Sequence, residues 1–143
     1  MRRSLAFNPW LPLAVVLVCA SCSGTRLNTV QGKVLYQGKP AKGAVVVFHP
    51  KGNDSLTAIP ATGVAGEDGT FTLSSGKNAG AVAGEYEVTV TWPEEAKDPT
   101  KISLEPPPPP PDRLKGRYAN RGTSGLTATV KSGTNQLEPF DLR

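Results

Sequence analysis

The chain has 143 residues, of which 38% are hydrophobic and 20% are charged, an ordinary composition for one globular domain. Its 15 glycines and 14 prolines indicate many turns and disfavour long helices. One His and two Cys exclude most zinc, iron–sulfur and Ser–His–Asp chemistries, and a formal net charge of +4 does not imply nucleic-acid binding.

The first 21 residues have the features of an export signal. Arg2 and Arg3 form a basic start, and the apolar run from Trp10 to Ala20 is shorter than the roughly 20 residues of a membrane-spanning helix. The first acidic residue is Asp54, so no acidic side chain opposes the basic start. We therefore interpret residues 1–21 as a signal peptide.

The end of this segment determines whether the chain is anchored or released. The small residues Ala20 and Ser21 precede Cys22, a pattern that resembles the bacterial lipobox. The motif prefers Leu, Val or Ile at the position that Cys19 occupies here. The resemblance implies that Cys22 is lipidated and becomes the first residue of a membrane-attached protein. Cleavage after Ala20 is the alternative, and it would release a secreted protein.

Lipidation of Cys22 would change the charge and the thiol content of the chain. Without Arg2 and Arg3, the mature protein has 14 basic and 12 acidic residues, a net charge of +2. Since Cys19 leaves with the signal, no thiol remains for a disulfide or a metal site. Ser23, rather than Asp, favours the outer membrane in a diderm host. These features predict a cell-envelope protein with a membrane partner and no nucleic-acid partner.

Beyond residue 27, apolar residues recur at every second position, which is typical of half-buried antiparallel strands. Apolar and polar side chains alternate in residues 70–73, 85–92 and 126–131. Residues 44–48 are continuously apolar, and we expect Val46 and Phe48 to point inward. About seven short strands spaced in this way predict an all-β protein with an antiparallel β-sandwich.

Clusters of turn-forming residues separate these runs. Asp68-Gly69 predicts a tight hairpin, and further turns are expected at Gly38-Lys39-Pro40 and at residues 132–135. Lys51–Pro60 is predicted to be a polar loop. Residues 93–97 contain the only candidate for a single helical turn.

Glu105 is followed by six consecutive prolines, which favour a semi-rigid polyproline II rod. Residues 112–143 contain about two strands, too few to bury a core of their own. Those strands must therefore pair with the earlier ones. We predict a tether over 22–28, one sandwich domain over 29–143, and a Pro-rich crossing at 105–112 over one end of the sandwich.

Residues 30–92 resemble the carboxypeptidase regulatory-like domain, a transthyretin-like β-sandwich. The resemblance is carried by Gly32-Lys33-Val34, Gly38-Lys39-Pro40, Gly43–Phe48, Thr62-Gly63 leading to Asp68–Phe71, and Ala83–Val90. The tail, with Arg117–Asn120 and Phe140–Leu142, is similar to that of small bacterial lipoproteins carrying this domain. The resemblance implies a single transthyretin-like or immunoglobulin-like sandwich. Its glycines and apolar residues serve turns and packing, so it implies no peptidase activity.

We predict no catalytic residue, metal site or cofactor in this chain. His49 is the only His, too few for a zinc peptidase site, and we expect it at the end of a strand. Glu67 and Asp68 alone provide too few oxygen ligands for a calcium loop. The sequence therefore predicts a protein that is not an enzyme.

Three residues are candidates for contact with a ligand or partner: Trp92, Arg117 and Tyr118. Trp92 ends a predicted strand, where it suits either stacking on a sugar or the rim of the core. Basic residues cluster around Tyr118: Arg113, Lys115, Arg117 and Arg121. They suit phosphates or acidic glycans, and solvated loop charge is the alternative.

Together these observations predict a lipid-anchored cell-envelope protein. Its β-sandwich is expected to act as a non-catalytic structural or protein-interaction module, with an unidentified envelope protein as partner. A carbohydrate-binding module of the cell surface, with a glycan as ligand, is the alternative.

Overall fold

A computed structural model describes residues 26–52, 59–95 and 108–143. The predicted signal peptide, Cys22 and residues 105–107 of the proline crossing lie outside the described residues. Within those three ranges, no helix is long and apolar enough to cross a membrane. The described chain is all-β, as predicted.

Thirteen short strands occur in the described ranges. In chain order they are β1 (Leu27–Asn28), β2 (Val30–Tyr36), β3 (Lys39–Pro40), β4 (Val45–Pro50), β5 (Ala61–Val64), β6 (Thr70–Thr72), β7 (Ser74–Ser75), β8 (Asn78–Ala79), β9 (Ala81–Val82), β10 (Gly84–Thr91), β11 (Leu126–Val130), β12 (Asn135–Gln136) and β13 (Phe140–Leu142). The count exceeds seven because the chain changes sheets within predicted runs. For example, β6 pairs with β2, whereas β7, two residues later, pairs with β5.

The strands form a sandwich-like arrangement of mainly antiparallel sheets. One sheet has six strands in the order β11-β10-β4-β5-β7-β8. The other has β2 at its centre, paired with β3 and β6 antiparallel and with β12 and β13 in parallel. A two-stranded ribbon joins β1 to β9. The predicted β-sandwich is thus confirmed.

The two-residue periodicity identified the inward faces correctly. Tyr86, Val88 and Val90 of β10 are buried, and so are Val46 and Phe48 of β4. These residues lie in one core with Val130 and Leu142, which follow the proline run, and with partly buried Phe140. The strands on both sides of residues 105–112 therefore share a core.

Thr89 departs from the predicted alternation. It lies on the outer face of β10 but is only 6% exposed. The side chain of His49, at the end of β4, lies over it, with Nε2 3.0 Å from the Thr89 hydroxyl. The imidazole therefore covers a position that the pattern assigned to solvent.

Two predicted turns differ in detail from the structure. The turn between β2 and β3 is Gln37-Gly38, with φ of 51° and 77°, so Lys39 and Pro40 lie in a strand. Two positive φ values suit the twist of a two-residue hairpin. Gly69 has the expected positive φ of 80°, but the Asp68-Gly69 turn joins β5 and β6, which belong to different sheets. The hairpin prediction there is wrong.

Asp68 nevertheless stabilises its turn. Its carboxylate accepts hydrogen bonds from the Thr70 hydroxyl at 2.6 Å and from the Thr70 N–H at 3.1 Å. These bonds favour the ionised form and lower the pKa of Asp68. The carboxylate is therefore engaged by the turn that it helps to form.

The predicted tether ends too late. Leu27 and Asn28 form β1, and the Asn28 side chain is buried. Its amide donates to the carbonyl of Ala81 at 3.3 Å and accepts from the N–H of Gly133 at 2.8 Å. These bonds fasten β1 to both halves of the chain, so residues 27–28 belong to the fold.

Candidate functional site

A run of turns from Asp112 to Ser124 docks on the end of β10. The Arg113 N–H donates to the Trp92 carbonyl at 2.8 Å, and the Glu94 N–H donates to the Pro111 carbonyl at 3.0 Å. The chain that leaves β10 and the chain that enters this run therefore lie side by side. This pairing places the basic residues after Asp112 beside Trp92.

Asp112 organises the start of this run. Its Oδ1 accepts from the backbone N–H groups of Trp92 at 2.8 Å and Leu114 at 3.0 Å. Its Oδ2 accepts from Gly116 N–H at 2.9 Å. Lys115 and Gly116 have positive φ values of 52° and 74°, so the backbone curls around the carboxylate. One carboxylate thus fixes the direction in which the neighbouring side chains point.

We expect the replacement Asp112→Ala to destabilise the protein by about 2–4 kcal/mol, because three backbone N–H groups lose a charged acceptor. Asp112→Asn retains a carbonyl oxygen for two of the bonds and should cost about 1 kcal/mol. The free energy of unfolding in urea distinguishes the two variants. Equal and small losses would show that the carboxylate does not organise the turn.

Trp92 packs at the rim of the core. Its Nε1 donates to the carbonyl of Lys42 at 2.7 Å, and its ring meets Tyr36 edge to face with 5.7 Å between centroids. The Arg113 guanidinium lies over the indole, 4.9 Å from its centroid. These contacts occupy the indole N–H and one face of the ring, so the structure favours the rim position over an open sugar-stacking platform.

Arg117 and Tyr118 converge on the backbone of Arg143, the residue after β13. The Tyr118 hydroxyl accepts from the Arg143 N–H at 3.1 Å and donates to its carbonyl at 3.2 Å. Nη1 of Arg117 donates to the same carbonyl at 2.8 Å. The Tyr118 carbonyl also accepts from Val90 N–H at 2.9 Å. Tyr118 therefore joins β10 to the end of β13, and Arg117 bonds to the same end of β13.

These contacts border a half-open pocket of about 260 Å³, here called the basic pocket. It is lined by Tyr36, Arg113, Leu114, Lys115, Arg117 and Arg143. The ion pairs found within the described residues join other groups, Lys42 to Glu67 and Arg121 to Glu87. In that part of the chain, no ion pair joins an Asp or Glu side chain to a basic residue of the pocket.

The structure brings together only part of the predicted basic cluster. Arg113, Lys115 and Arg117 line the basic pocket, but Arg121 bonds to Glu87 at 3.1 Å and to the Pro50 carbonyl at 3.3 Å. The sequence interpretation missed Tyr36 and Arg143. They meet because β13 pairs in parallel with β2, with Leu142 opposite Tyr36.

His49 lies at the end of β4, as predicted, and is partly buried. Burial lowers the pKa of His49, and the positive charge of Arg121 lowers it further, against an opposing effect of Glu87. These effects favour the neutral imidazole, whose Nε2 lies 3.0 Å from the Thr89 hydroxyl. Within residues 26–52, 59–95 and 108–143, no three His, Cys, Asp or Glu side chains are grouped as a metal site would require.

No family model and no curated protein matches this chain. Among solved structures, it is similar to a DUF3823 family protein from Parabacteroides merdae ATCC 43184, with a TM-score of 0.44 and 16% sequence identity. The match covers 80% of this chain and 45% of that protein, so the chain spans less than half the length of its structural neighbour.

Proposed function

We propose that this protein is a lipid-anchored cell-envelope protein whose β-sandwich is a non-catalytic module for structure or protein interaction. The observation that carries the proposal is Ala20-Ser21-Cys22 at the end of a short apolar run. Only four residues separate Cys22 from Leu27, where β1 begins. Even fully extended, five residue steps span at most about 18 Å, so lipidation of Cys22 would hold the sandwich close to the membrane.

The use of polar groups in the described chain supports a non-catalytic module. Asp112 caps a turn, Asn28 fastens β1, and the Tyr118 hydroxyl holds the backbone of Arg143. Asn135 likewise spans its turn, accepting from the N–H of Lys131 and donating to its carbonyl, both at 2.8 Å. In each case a reactive or polar group serves to fix the backbone.

The finer assignment, a carboxypeptidase regulatory-like sandwich, is also part of the proposal. Its support is that motif residues lie where packing requires them. A Cβ on Gly32 would come within 2.5 Å of the Phe71 ring, and a Cβ on Gly63 within 2.9 Å of the Thr72 carbonyl oxygen. Gly32 thus leaves room for the Phe71 ring of the neighbouring strand in its own sheet, and Gly63 permits close approach between the two sheets. An experimental structure of higher similarity to that family than to other sandwiches would test the assignment.

The variant Cys22→Ala is expected to move the protein from the membrane fraction to the soluble fraction, since it removes the acylated sulfur. Cys19→Ala is the matched control and should leave the distribution unchanged. Mass spectrometry of the mature amino terminus provides the direct measurement, with a diacylated Cys22 expected. An unmodified chain beginning at Ser21 would refute the anchor.

A further inference from the structure

We propose that the basic pocket binds the carboxylate of an acidic saccharide on the side of the protein that faces away from its membrane. The inference deepens the proposed function, because the direction of the pocket depends on the anchor at Cys22. Binding itself depends only on the described fold. An experiment can therefore refute the anchor without refuting ligand binding by the pocket, and the reverse.

The charge of the pocket indicates an anionic ligand. Four basic residues line it: Arg113, Lys115, Arg117 and Arg143. The carboxylate of Asp112, the residue before Arg113, accepts hydrogen bonds from three backbone N–H groups. Because the four positive groups share a space of about 260 Å³, their mutual repulsion favours a bound anion.

Two guanidinium groups are held in place before any ligand arrives. Arg113 lies on the Trp92 ring, and Arg117 is fixed by the Arg143 carbonyl and by the Tyr118 ring, 5.8 Å from its Cζ. The bond to the carbonyl uses one of five guanidinium N–H donors and leaves the others for a ligand. Side chains already ordered lose less conformational entropy on binding. Their planar forks match a carboxylate in a two-bond arrangement.

The position of the pocket argues against the anchoring membrane as the ligand. β1 begins five residues after the proposed anchor and β2 begins eight residues after it, whereas the pocket contains Tyr36, at the other end of β2. The six residue steps between them, at about 3.3 Å each, place these ends roughly 20 Å apart. Arg143 and Trp92 mark the same far end, since they follow β13 and β10. Lipid headgroups of the anchoring membrane would lie at the opposite end.

The size and the walls of the pocket favour a sugar over a larger ligand. At about 260 Å³ it is slightly smaller than the sites of drug-sized molecules, which begin near 300 Å³. Tyr36 and the buried Leu114 provide an apolar wall beside the cations. A sugar ring can lie against that wall while its carboxylate meets the guanidinium groups. One acidic sugar residue of a longer chain therefore fits.

The test is isothermal titration calorimetry of the full-length protein in non-ionic detergent with trigalacturonate. Galactotriose is the neutral control, and inorganic phosphate and phosphatidylglycerol vesicles are the competing anions. We expect trigalacturonate to bind with a Kd below about 1 mM and galactotriose not to bind. Phosphate and the vesicles should bind at least about tenfold more weakly.

Variants locate the binding. Lys115→Gln, whose side chain makes no hydrogen bond in the described structure, should weaken binding about fivefold, and Arg117→Gln at least about tenfold. Arg121→Gln removes the same charge outside the pocket and should change Kd less than about twofold. Cys22→Ala should bind as the unchanged chain does, which separates the pocket from the anchor.

Four results would overturn the proposal: no binding of trigalacturonate, equal binding of galactotriose, equal or tighter binding of phosphate or of the vesicles, or equal weakening by Arg121→Gln and Lys115→Gln. The last would indicate diffuse surface charge.

Discussion

A chain truncated to residues 27–105 is expected not to fold. In the complete sandwich, β11 pairs with β10 over five residues, and β12 and β13 flank β2 on the other sheet. Truncation removes these strands and exposes the inner faces of both sheets. Buried side chains lost with them include Leu114, Val130 and Leu142.

The size of the loss decides the outcome. Each buried large apolar side chain contributes roughly 1.5–3 kcal/mol, against a total stability of about 5–15 kcal/mol for a domain. The truncation removes three such side chains, Phe140 and the hydrogen bonds of three strands. The stabilisation lost in this way exceeds the lower part of that range. Circular dichroism and thermal unfolding of residues 27–105 against residues 27–143 provide the measurement.

The control for this truncation keeps the strands and changes only the connection. Shortening Pro106–Pro111 to three prolines in the otherwise complete chain should cost far less than the truncation, since the buried strands remain. Sharp, cooperative unfolding of residues 27–105 would show that the sandwich closes without β11, β12 and β13. The prediction of one domain over 29–143 would then be wrong.

The strands that the sequence predicted well are those whose pattern is local. In β10, alternation places Tyr86, Val88 and Val90 inward, and all three are buried as the pattern predicts. The outer face was less predictable. Thr89 is buried because His49 reaches it from the neighbouring strand, a contact set by register rather than by the residues around Thr89.

The candidate site illustrates a second limit of local patterns. Trp92, Arg117 and Tyr118 were identifiable by their residue types, but the contacts of Arg117 and Tyr118 with Arg143 depend on parallel pairing of β13 with β2. No local signal connects Tyr36 to Arg143, which are more than one hundred residues apart. The hydrogen bonds of Asp112 had one local signal in the sequence, an Asp shortly before a turn that contains Gly116. Asp side chains in such positions often accept hydrogen bonds from nearby backbone N–H groups.

Turn-forming residues likewise predicted the local backbone conformation, but not which strands the turns connect. Asp68-Gly69 provides a positive φ at Gly69, yet the strand after it joins the other sheet. In the turn between β2 and β3, Gln37 has a positive φ although it is not glycine. Because the prediction relied on Gly38, it placed the start of this turn one residue too late. A one-residue displacement of a turn is small along the chain, but it determines which side chains come into contact.

The core prediction with the largest effect concerns Phe48, which is fully buried between the sheets. Its ring lies 5.7 Å from that of Tyr86 and 6.3 Å from those of Phe71 and Phe140, centroid to centroid. Phe48→Ala should therefore destabilise the protein by about 3–5 kcal/mol, through lost burial and the cavity left behind. Val64→Ala, at a side chain 60% exposed, is the control and should change stability by less than about 0.5 kcal/mol.

A double-mutant cycle extends this prediction across the proline run. Phe48 precedes that run and Phe140 follows it, so any coupling between them reports that both lie in one core. Because their rings are in contact, Phe48→Ala and Phe140→Ala should be non-additive by about 0.5–1.5 kcal/mol in the free energy of unfolding. Urea unfolding of the four chains measures this coupling. If the two losses simply add, or if Phe48→Ala costs less than about 1 kcal/mol, these rings do not form a common core.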